Sequence, residues 1–331
     1  MKKFILLLFI LSFLFKTQAQ TPFDSKETVA AAKAFLSSLT PELKMQTQLS
    51  FTDSFRLKWS NLPNGQVSRK GAWLKDLNAD QRQKIHALLR TVLSQQGYQK
   101  MLFIMQYDEA THQRLLAAKS PIAERYGDEN YWISVFGEPT EGAVWAFKFE
   151  GHHISLNMTF SIKGITCTPM FTGVNPALMT EGAYAGRYIM YEEDAFGKAL
   201  YNSLTPILKK KATLSTLPQD ADVMVQKGNE AFLTQKQGVS YNEMNKAQKA
   251  MVEGIIQAWV GNLTPSVAAA KMVKIRTHLK DMYFTWMGSD DATQLHYYRL
   301  QSPVCVIEFT NRDQGIYHYH TLWRDIEEDF K

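Results

Sequence analysis

Four histidines in two short segments are the residues of this sequence best suited to chemistry. His318 and His320 are separated by one residue, and in a β-strand that spacing puts both imidazoles on one side, about 6–7 Å apart. His152 and His153 are adjacent at the start of another segment rich in β-branched and aromatic residues. Neutral imidazoles suit zinc, copper, nickel or iron better than calcium. We therefore predict a transition-metal site with these four histidines as candidate ligands.

Strand geometry limits how these histidines can combine. Successive residues of a strand face opposite ways, so only one of His152 and His153 is expected to face a polar pocket. The side chains two, four and six positions after His153 are polar, whereas those after His152 are apolar, which favours His153. Three imidazoles then converge only if the strand after His153 lies beside the strand of His318 and His320. Two other interpretations stay open: a metal-free pocket that transfers protons or binds an anion, and purely structural histidines.

Charged residues near these segments are candidates for catalysis and ligand binding. A carboxylate next to an imidazole can orient it or act as a general base. Arg324 and Asp325 are equally able to tie down the C-terminal strand through a salt bridge. Glu308 is a candidate ligand-binding residue in the same β-rich region. The candidate catalytic residues in or beside the β-patterned segments are Glu150, Arg299, Arg324 and Asp325.

The elements that must position these residues change character along the chain. Apolar periodicity predicts helices over 24–39, 78–97 and 98–118, the second opened by a capping box of Asn78 and Gln81. From Tyr131 onward, a dense run of β-branched and aromatic residues predicts three or four antiparallel strands. Lys163 and Gly164 are predicted to form a tight turn in this region.

Helices and strands alternate again in the second half of the sequence. Helices are predicted between 177 and 208, over 245–260 and over 266–282, and the polar stretch 209–240 is expected to be an irregular connection. HYYRLQ, VCVIEF and HYHTLW are typical of three strands that complete the sheet. No internal repeat or linker is apparent. We therefore predict an α+β fold, a single domain with helices packed around a central antiparallel sheet.

The N-terminal residues have the organisation of a secretory signal peptide. Two lysines precede an apolar run from Phe4 to Phe15 and an end of small residues, and that run is shorter than the roughly 20 residues needed to span a bilayer. We expect cleavage after Ala19, which makes residues 1–19 the signal peptide. Residues 20–331 are then one domain in the periplasm or extracellular space, without a membrane anchor.

The composition of the exported part narrows the choice of partners. It has 34 basic residues against 32 acidic ones and no clustered basic face, so nucleic acid is not an expected partner. The interpretation of Cys167 and Cys305 as buried thiols is favoured over a disulfide. Trp145 and the other tryptophans are able to line a cleft for sugars or aromatic compounds, although core packing explains most of them better. A small molecule is the expected partner.

Several short motifs occur together in an order that resembles the family known as domain of unknown function 3500, found in bacteria and fungi. Among them are FRLKWSNLP, VFGEP, FEGHHISLN, TPMFTGVNPA, FTWMG, YYRLQSP and HYHTLWRD, and the likeness covers nearly the whole mature chain. The family has no established activity to transfer. The resemblance implies that functional residues lie in these motifs, and it adds Asn157 and Asn175 as candidate ligand-binding residues.

These observations favour a metal-dependent exported enzyme. A bound divalent ion such as zinc, copper or iron would activate water, or oxygen if it is redox-active, and hydrolysis is favoured. Glu150 or Asp325 would orient a ligand or move a proton. No G-x-S-x-G elbow, phosphate-binding glycine loop, H-E-x-x-H helix or C-x-x-C pair is present. The alternatives are a non-catalytic periplasmic protein that binds a small ligand or metal, and a structural secreted module.

Overall fold

The computed structural model describes residues 24–180, 182–215, 222–224, 233, 236–291, 294–313 and 317–331. The predicted signal peptide, residues 1–19, lies outside these ranges, as does much of the predicted connection 209–240. Among the helices within them, none combines the length and the apolar character that crossing a bilayer requires.

Eight α-helices occur in the described residues, and several of their starts follow from local sequence. Thr40 and Thr205 cap helices that open with proline, while Asn78 and Asn245 form capping boxes with a glutamine three residues on. The helices are α1 (Lys26–Ser37), α2 (Pro41–Thr47), α3 (Ala79–Arg90), α4 (Gln95–Ala117), α5 (Tyr191–Ser203), α6 (Pro206–Ala212), α7 (Lys246–Val260) and α8 (Pro265–Thr277).

Some helix boundaries differ from the predicted ones. The helix predicted to end at Gly97 stops at Arg90, because Ser94 caps a new helix whose first turn contains Gly97. The helix predicted over 266–282 ends at Thr277. The residues that follow contribute a strand that sequence analysis did not predict, Tyr283–Gly288.

Thirteen strands of the described residues form one open, mostly antiparallel sheet. Along the sheet their order is β1-β3-β4-β5-β7-β13-β12-β11-β10-β8, with β2 beside β3, β6 beside β5 and β9 beside β10. The strands are β1 (Gln48–Leu49), β2 (Ala72–Trp73), β3 (Tyr131–Phe136), β4 (Trp145–Gly151), β5 (Ile154–Ser161), β6 (Gly164–Thr166), β7 (Met170–Val174), β8 (Thr213–Ser215), β9 (Val239–Ser240), β10 (Tyr283–Gly288), β11 (His296–Ser302), β12 (Cys305–Asn311) and β13 (Tyr319–Arg324).

The two faces of this sheet differ in chemistry. Alternate residues such as Ile133, Leu156 and Trp323 join the main hydrophobic core that the helices complete. The opposite face carries polar side chains, including Lys148 and Glu308, that are nevertheless buried. The predicted α+β fold with helices around a central sheet is confirmed. Cys167 and Cys305 are both free and buried.

The order of elements in the first half of the chain recurs in the second half. We define the first half as residues 26–161 and the second half as residues 191–311. Among the described residues, the helices and strands of each half follow the order α, α, β, β, α, α, β, β, β, if short 3₁₀ turns are left out. Strands β6, β7 and β13 lie outside both halves. The strands pair in the same pattern in both halves, and β7 and β13 join the halves at the middle of the sheet. The prediction that the chain has no internal repeat is therefore wrong.

Matching residues support this equivalence between the halves. Gln81 and Gln248 each donate from Nε2 to the carbonyl of the serine three residues before their half's second helix, at 2.8 and 2.9 Å. Gly71 and Gly238 both have a left-handed backbone, with φ of 103° and 91°. A Cβ at these two positions would lie 2.2 and 2.1 Å from a carbonyl oxygen of the adjacent strand, so both positions require glycine.

Candidate functional site

His152 and His153 form the two-residue turn of the hairpin between β4 and β5. Gly151 pairs with Ile154, which leaves both histidines outside the ladder. His153 has a left-handed backbone with φ of 62°, an uncommon conformation for a residue with a side chain. The two rings stack with centroids 3.7 Å apart and line the same cavity. The prediction that they start a strand and face opposite ways is therefore wrong.

One strand lies between the two histidine segments. We predicted that the strand after His153 adjoins the strand of His320, but β7 pairs with both β5 and β13. Gly173 of β7 lies opposite His320 in the ladder, and its N–H donates to the carbonyl of His153 at 2.8 Å. A Cβ at Gly173 would lie 2.9 Å from Cδ2 of both histidines. The missing side chain therefore lets the imidazoles meet across β7.

Three imidazoles converge on one point. The Nε2 atom of His318 lies 3.2 Å from Nε2 of His153 and 3.1 Å from Nε2 of His320. One ring nitrogen of each residue lies within 4.8 Å of those of the other two. In a tetrahedral zinc site with bonds of 2.0–2.1 Å, ligand nitrogens are about 3.3 Å apart. We call this group the histidine trio, and its spacing matches one metal ion.

Carboxylates hold two members of the trio from behind. Nδ1 of His320 lies 2.8 Å from Asp222 Oδ1, and Nδ1 of His318 lies 2.5 Å from Asp313 Oδ2. Each carboxylate accepts a hydrogen bond from Nδ1–H, so Nε2 presents a lone pair. Two lone pairs 3.1 Å apart repel each other unless a cation lies between them. This is the arrangement found around histidines that bind metals.

Burial keeps the trio neutral. It lowers the pKa of His153 well below its ordinary value and the pKa of His318 to about 4. It also lowers the pKa of His320, although the hydrogen bond to Asp222 acts in the opposite direction. At neutral pH the three rings are therefore uncharged, which is the form that binds a metal through its free nitrogen.

His152 lies outside the trio and has a different partner. Its Nδ1 is 2.5 Å from Oδ1 of Asp108, a buried residue of α4. The backbone N–H of Gly127 also approaches this carboxylate, at 3.3 Å from Oδ2. His152 was predicted as a metal ligand. The structure instead places it as a carboxylate-bound imidazole next to the trio, a pair that can exchange a proton with a molecule in the cavity.

A cavity of about 390 Å³ opens beside the trio and His152. Its volume is in the range of small-molecule sites. Asn175, a predicted ligand-binding residue, lines it, and its Nδ2 lies 3.4 Å from Nδ1 of His318. The other lining residues are Asn61, Leu62, Pro63, Thr111, Arg114, Leu115, Ile122, Tyr126, Pro176 and Arg312.

The loop that carries Asn61 is attached to the sheet by Lys148. The carbonyl of Asn61 accepts a hydrogen bond from the N–H of His153 at 3.1 Å. Lys148 Nζ donates to the carbonyl oxygens of Phe55, at 2.7 Å, and Lys58. The buried ammonium therefore holds the loop against the hairpin turn that bears His153.

Replacing Lys148 by methionine is expected to change the alkaline stability profile. Burial lowers the pKa of Lys148 from 10.5 to about 8, so between these values the unfolded chain binds more protons than the folded one. The free energy of unfolding therefore rises with pH across this window in the natural protein. Urea denaturation from pH 7.5 to 10.5 is expected to show a smaller rise for Lys148→Met. The exposed Lys163→Met serves as control, and equal slopes for all three proteins would contradict the assignment.

Three of the predicted site residues, Asn157, Arg299 and Glu308, lie on the buried polar face of the sheet. Arg299 and Glu308 are directly opposite each other on β11 and β12, as Lys148 and Asn157 are on β4 and β5. These two pairs occupy equivalent places in the two halves. Glu308 accepts hydrogen bonds from Tyr297 OH and from the N–H of Met224, at 2.5 and 2.9 Å. None of the three lines the cavity.

The remaining predicted residues also lie away from the cavity. Trp145 stacks on Phe160 in the core, with centroids 4.3 Å apart. Glu150 is buried on the polar face of the sheet. Nε of Arg324 binds Asp329 at 2.7 Å, and Asp325 binds Lys274 at 2.6 Å. Arg324 and Asp325 thus each hold the C-terminal residues in place through an ion pair, Arg324 with Asp329 and Asp325 with Lys274.

Sequence reasoning missed three carboxylates of the site. Asp108 lies on α4, 44 positions from His152, and Asp222 is 98 positions from His320. Nothing in their local sequence connects them with the histidines. Asp313 is only five positions before His318, and an acid so close to an H-x-H pair is a signal that was available.

The fold and site define an α+β protein with a largely buried histidine trio at the edge of a cavity. Residues 22–331 match the family described as "Protein of unknown function (DUF3500)", and the chain belongs to this family. The resemblance inferred from the sequence is thereby confirmed. No curated protein and no solved structure matches the chain.

Proposed function

We propose that His153, His318 and His320 bind one divalent transition metal and that the protein is a metal-dependent hydrolase. The observation that carries this proposal is the convergence of three neutral Nε2 atoms, two of them on rings whose Nδ1 atoms bind aspartates. Three protein ligands leave a coordination position open, as in catalytic zinc sites. When bound, the metal would lower the pKa of a water in that position.

The other residues of the cavity support hydrolysis over redox chemistry. His152, held by Asp108, lines the cavity next to the trio and is able to accept a proton from water or return it to a leaving group. Asn61 and Asn175 provide amides that can orient a small substrate. Glu150 and Asp325, which the sequence suggested for proton transfer, do not line the cavity and have no part in this proposal.

We also propose that the mature protein is exported and acts on a small molecule in the periplasm or extracellular space. The organisation of residues 1–20 as a signal peptide supports export. Zinc is the metal that best suits the spacing of the trio and a hydrolytic role, with copper and iron as the competing ions.

Metal content tests the proposal directly. The mature chain, purified without a histidine tag, is expected to retain about one transition-metal ion per molecule by elemental analysis, or to regain it when zinc, copper or iron is added. His318→Ala and His320→Ala are expected to lose it. His153→Asn is the better change at the turn, because asparagine tolerates the left-handed backbone. His278→Ala, a histidine outside the site, is the matched control.

The results separate the possible functions. A natural protein that neither retains nor regains any of the three metals would refute the metal site. Activity on a panel of carboxylic esters, phosphate esters and amides that is lost on chelation and restored by the metal would support the hydrolase. Stoichiometric metal without turnover on this panel would contradict the hydrolase and favour a non-catalytic binding protein.

A further inference from the structure

The cavity beside the trio has a one-sided charge. Among the described residues that line it, two are arginines, Arg114 and Arg312, and none is aspartate or glutamate. Arg114 projects from the exposed side of α4 and has no carboxylate within ion-pair distance among the described residues. The free charge of its guanidinium is therefore available to a molecule in the cavity.

The carboxylates around the cavity are already engaged. Asp313 and Asp108 bind His318 and His152, respectively. Asp222 is shared between Nδ1 of His320, at 2.8 Å, and Nη1 of Arg312, at 3.3 Å. These three carboxylates keep their negative charge, but the two arginines together with the two positive charges of a bound metal outnumber them, so a ligand meets an excess of positive charge.

Arg312 lines the cavity as well, and its side chain is 30% exposed although Nη1 reaches Asp222. The exposed part of this side chain can therefore bind the anionic group of a ligand. Arginine is well suited to this task because its fork binds both oxygens of a carboxylate or phosphate.

We infer that the ligand of this cavity is a small organic anion, whose carboxylate or phosphate group binds Arg114 and Arg312 beside the metal. This inference rests on the proposed function and names its class of substrate. The cavity of about 390 Å³ accommodates a molecule of the size of a substituted benzoate. The amides of Asn61 and Asn175 line the same space and can bind its uncharged polar groups.

Binding of matched probes tests the inference. Isothermal titration of the zinc-loaded protein, in buffer free of phosphate and carboxylate, compares benzoate and phenyl phosphate with neutral benzamide. At least one anion is expected to bind about tenfold more tightly than benzamide, because hydrogen bonds to charged groups are the stronger ones. Arg114→Gln is expected to weaken binding of that anion about tenfold, with benzamide binding and zinc content unchanged. Arg276→Gln, which changes an arginine paired with Glu253, is the control.

Each result decides the matter. Equal affinity for the anions and benzamide, failure of both anions to bind, or anion binding unaffected by both Arg114→Gln and Arg312→Gln would overturn the inference. Titration of the metal-free protein distinguishes this failure from failure of the proposed function. If the chain binds no zinc, the metal site is refuted, but a preference for anions that depends on Arg114 still supports the inferred ligand class.

Discussion

Gly173→Ala is expected to abolish stoichiometric metal binding although it removes no ligand. The new Cβ would lie 2.9 Å from Cδ2 of His153, from Cδ2 of His320 and from the carbonyl oxygen of Tyr319. The first two atoms belong to rings that must converge, and the third belongs to the backbone, so no flexible side chain can yield. The rings must separate, and separated nitrogens cannot share one ion. Zinc titration and elemental analysis measure the loss.

The control for this prediction is another glycine that tolerates a methyl group. Gly254 lies within α7, and the three atoms nearest to a Cβ there belong to the ring of Phe196, a side chain that can shift slightly, with the nearest at 3.3 Å. Gly254→Ala is expected to bind metal as the natural protein does. Circular dichroism must show that Gly173→Ala is folded. A folded Gly173→Ala protein with unchanged metal affinity would mean that the rings do not meet across β7.

Asp194→Ala is expected to lower the free energy of unfolding by about 3–5 kcal/mol, the range for breaking a buried ion pair. The carboxylate of Asp194 is 1% exposed and lies 2.8 Å from both Nε2 of His296 and Nζ of Lys198. Its removal leaves an ammonium and a buried imidazole without their partner. Urea denaturation at pH 7 measures the change.

A surface pair of the same spacing is the matched control. Lys84 and Asp80 are also four residues apart on a helix, but their side chains are 30% and 67% exposed. Asp80→Ala is expected to cost at most about 0.5 kcal/mol, because solvent screens exposed pairs. Similar losses for the two variants would contradict the role of burial.

The carboxylate of Asp194 also makes the free energy of unfolding depend on pH in the acidic range. Burial acts to raise the pKa of Asp194, but the hydrogen bonds from His296 and Lys198 outweigh it and lower the pKa below 3.8. A carboxyl group whose pKa is lowered by folding contributes stability that is fully present above its pKa in the unfolded chain. This contribution is lost as the pH falls through its pKa in the folded protein. In Asp194→Asn, the free energy of unfolding is expected to decline less below about pH 4 than in the natural protein. Parallel curves of unfolding free energy against pH for Asp194→Asn and the natural protein would contradict this prediction.

Local features of the fold were predictable from the sequence. The capping box of Asn78 and Gln81 and the strands at the C-terminus depend on neighbouring residues, so their patterns are visible in one stretch of chain. The turn at His152 was not predicted because alternation of polar and apolar residues continues into it. Only the pairing of Gly151 with Ile154 shows where the strand begins.

The internal repeat left a trace that was overlooked. S-L-T-P-x-L-K occurs at 38–44 and again at 203–209, and each copy is followed by an N-x-x-Q capping box. The identities between the halves are few, because most positions need only keep their apolar or turn-forming character. The three-dimensional contacts of Gln81 and Gln248 are what make the match evident.

The candidate site was only partly predictable, for a physical reason. Residue type and i, i+2 spacing identified His318 and His320, and the GHH segment identified His153. The partners that fix the rings, such as Asp222, come from distant parts of the chain, and the strand that intervenes contributes the absence of a side chain at Gly173. The sequence shows a glycine at 173, but only the fold shows which side chains occupy the space of its missing Cβ.

The two-fold arrangement of the sheet has a consequence for how the protein tolerates change. The hairpin turn that holds His152 and His153 in the first half corresponds to Pro303 and Val304 in the second, since Ser302 pairs with Cys305 as Gly151 does with Ile154. Pro303 lines a separate cavity with no histidine among its described lining residues. One fold thus has two matching hairpin turns, and among the described residues only the first turn carries histidines. Substitutions at Pro303 are therefore expected to change the stability of the sheet without changing the histidine trio.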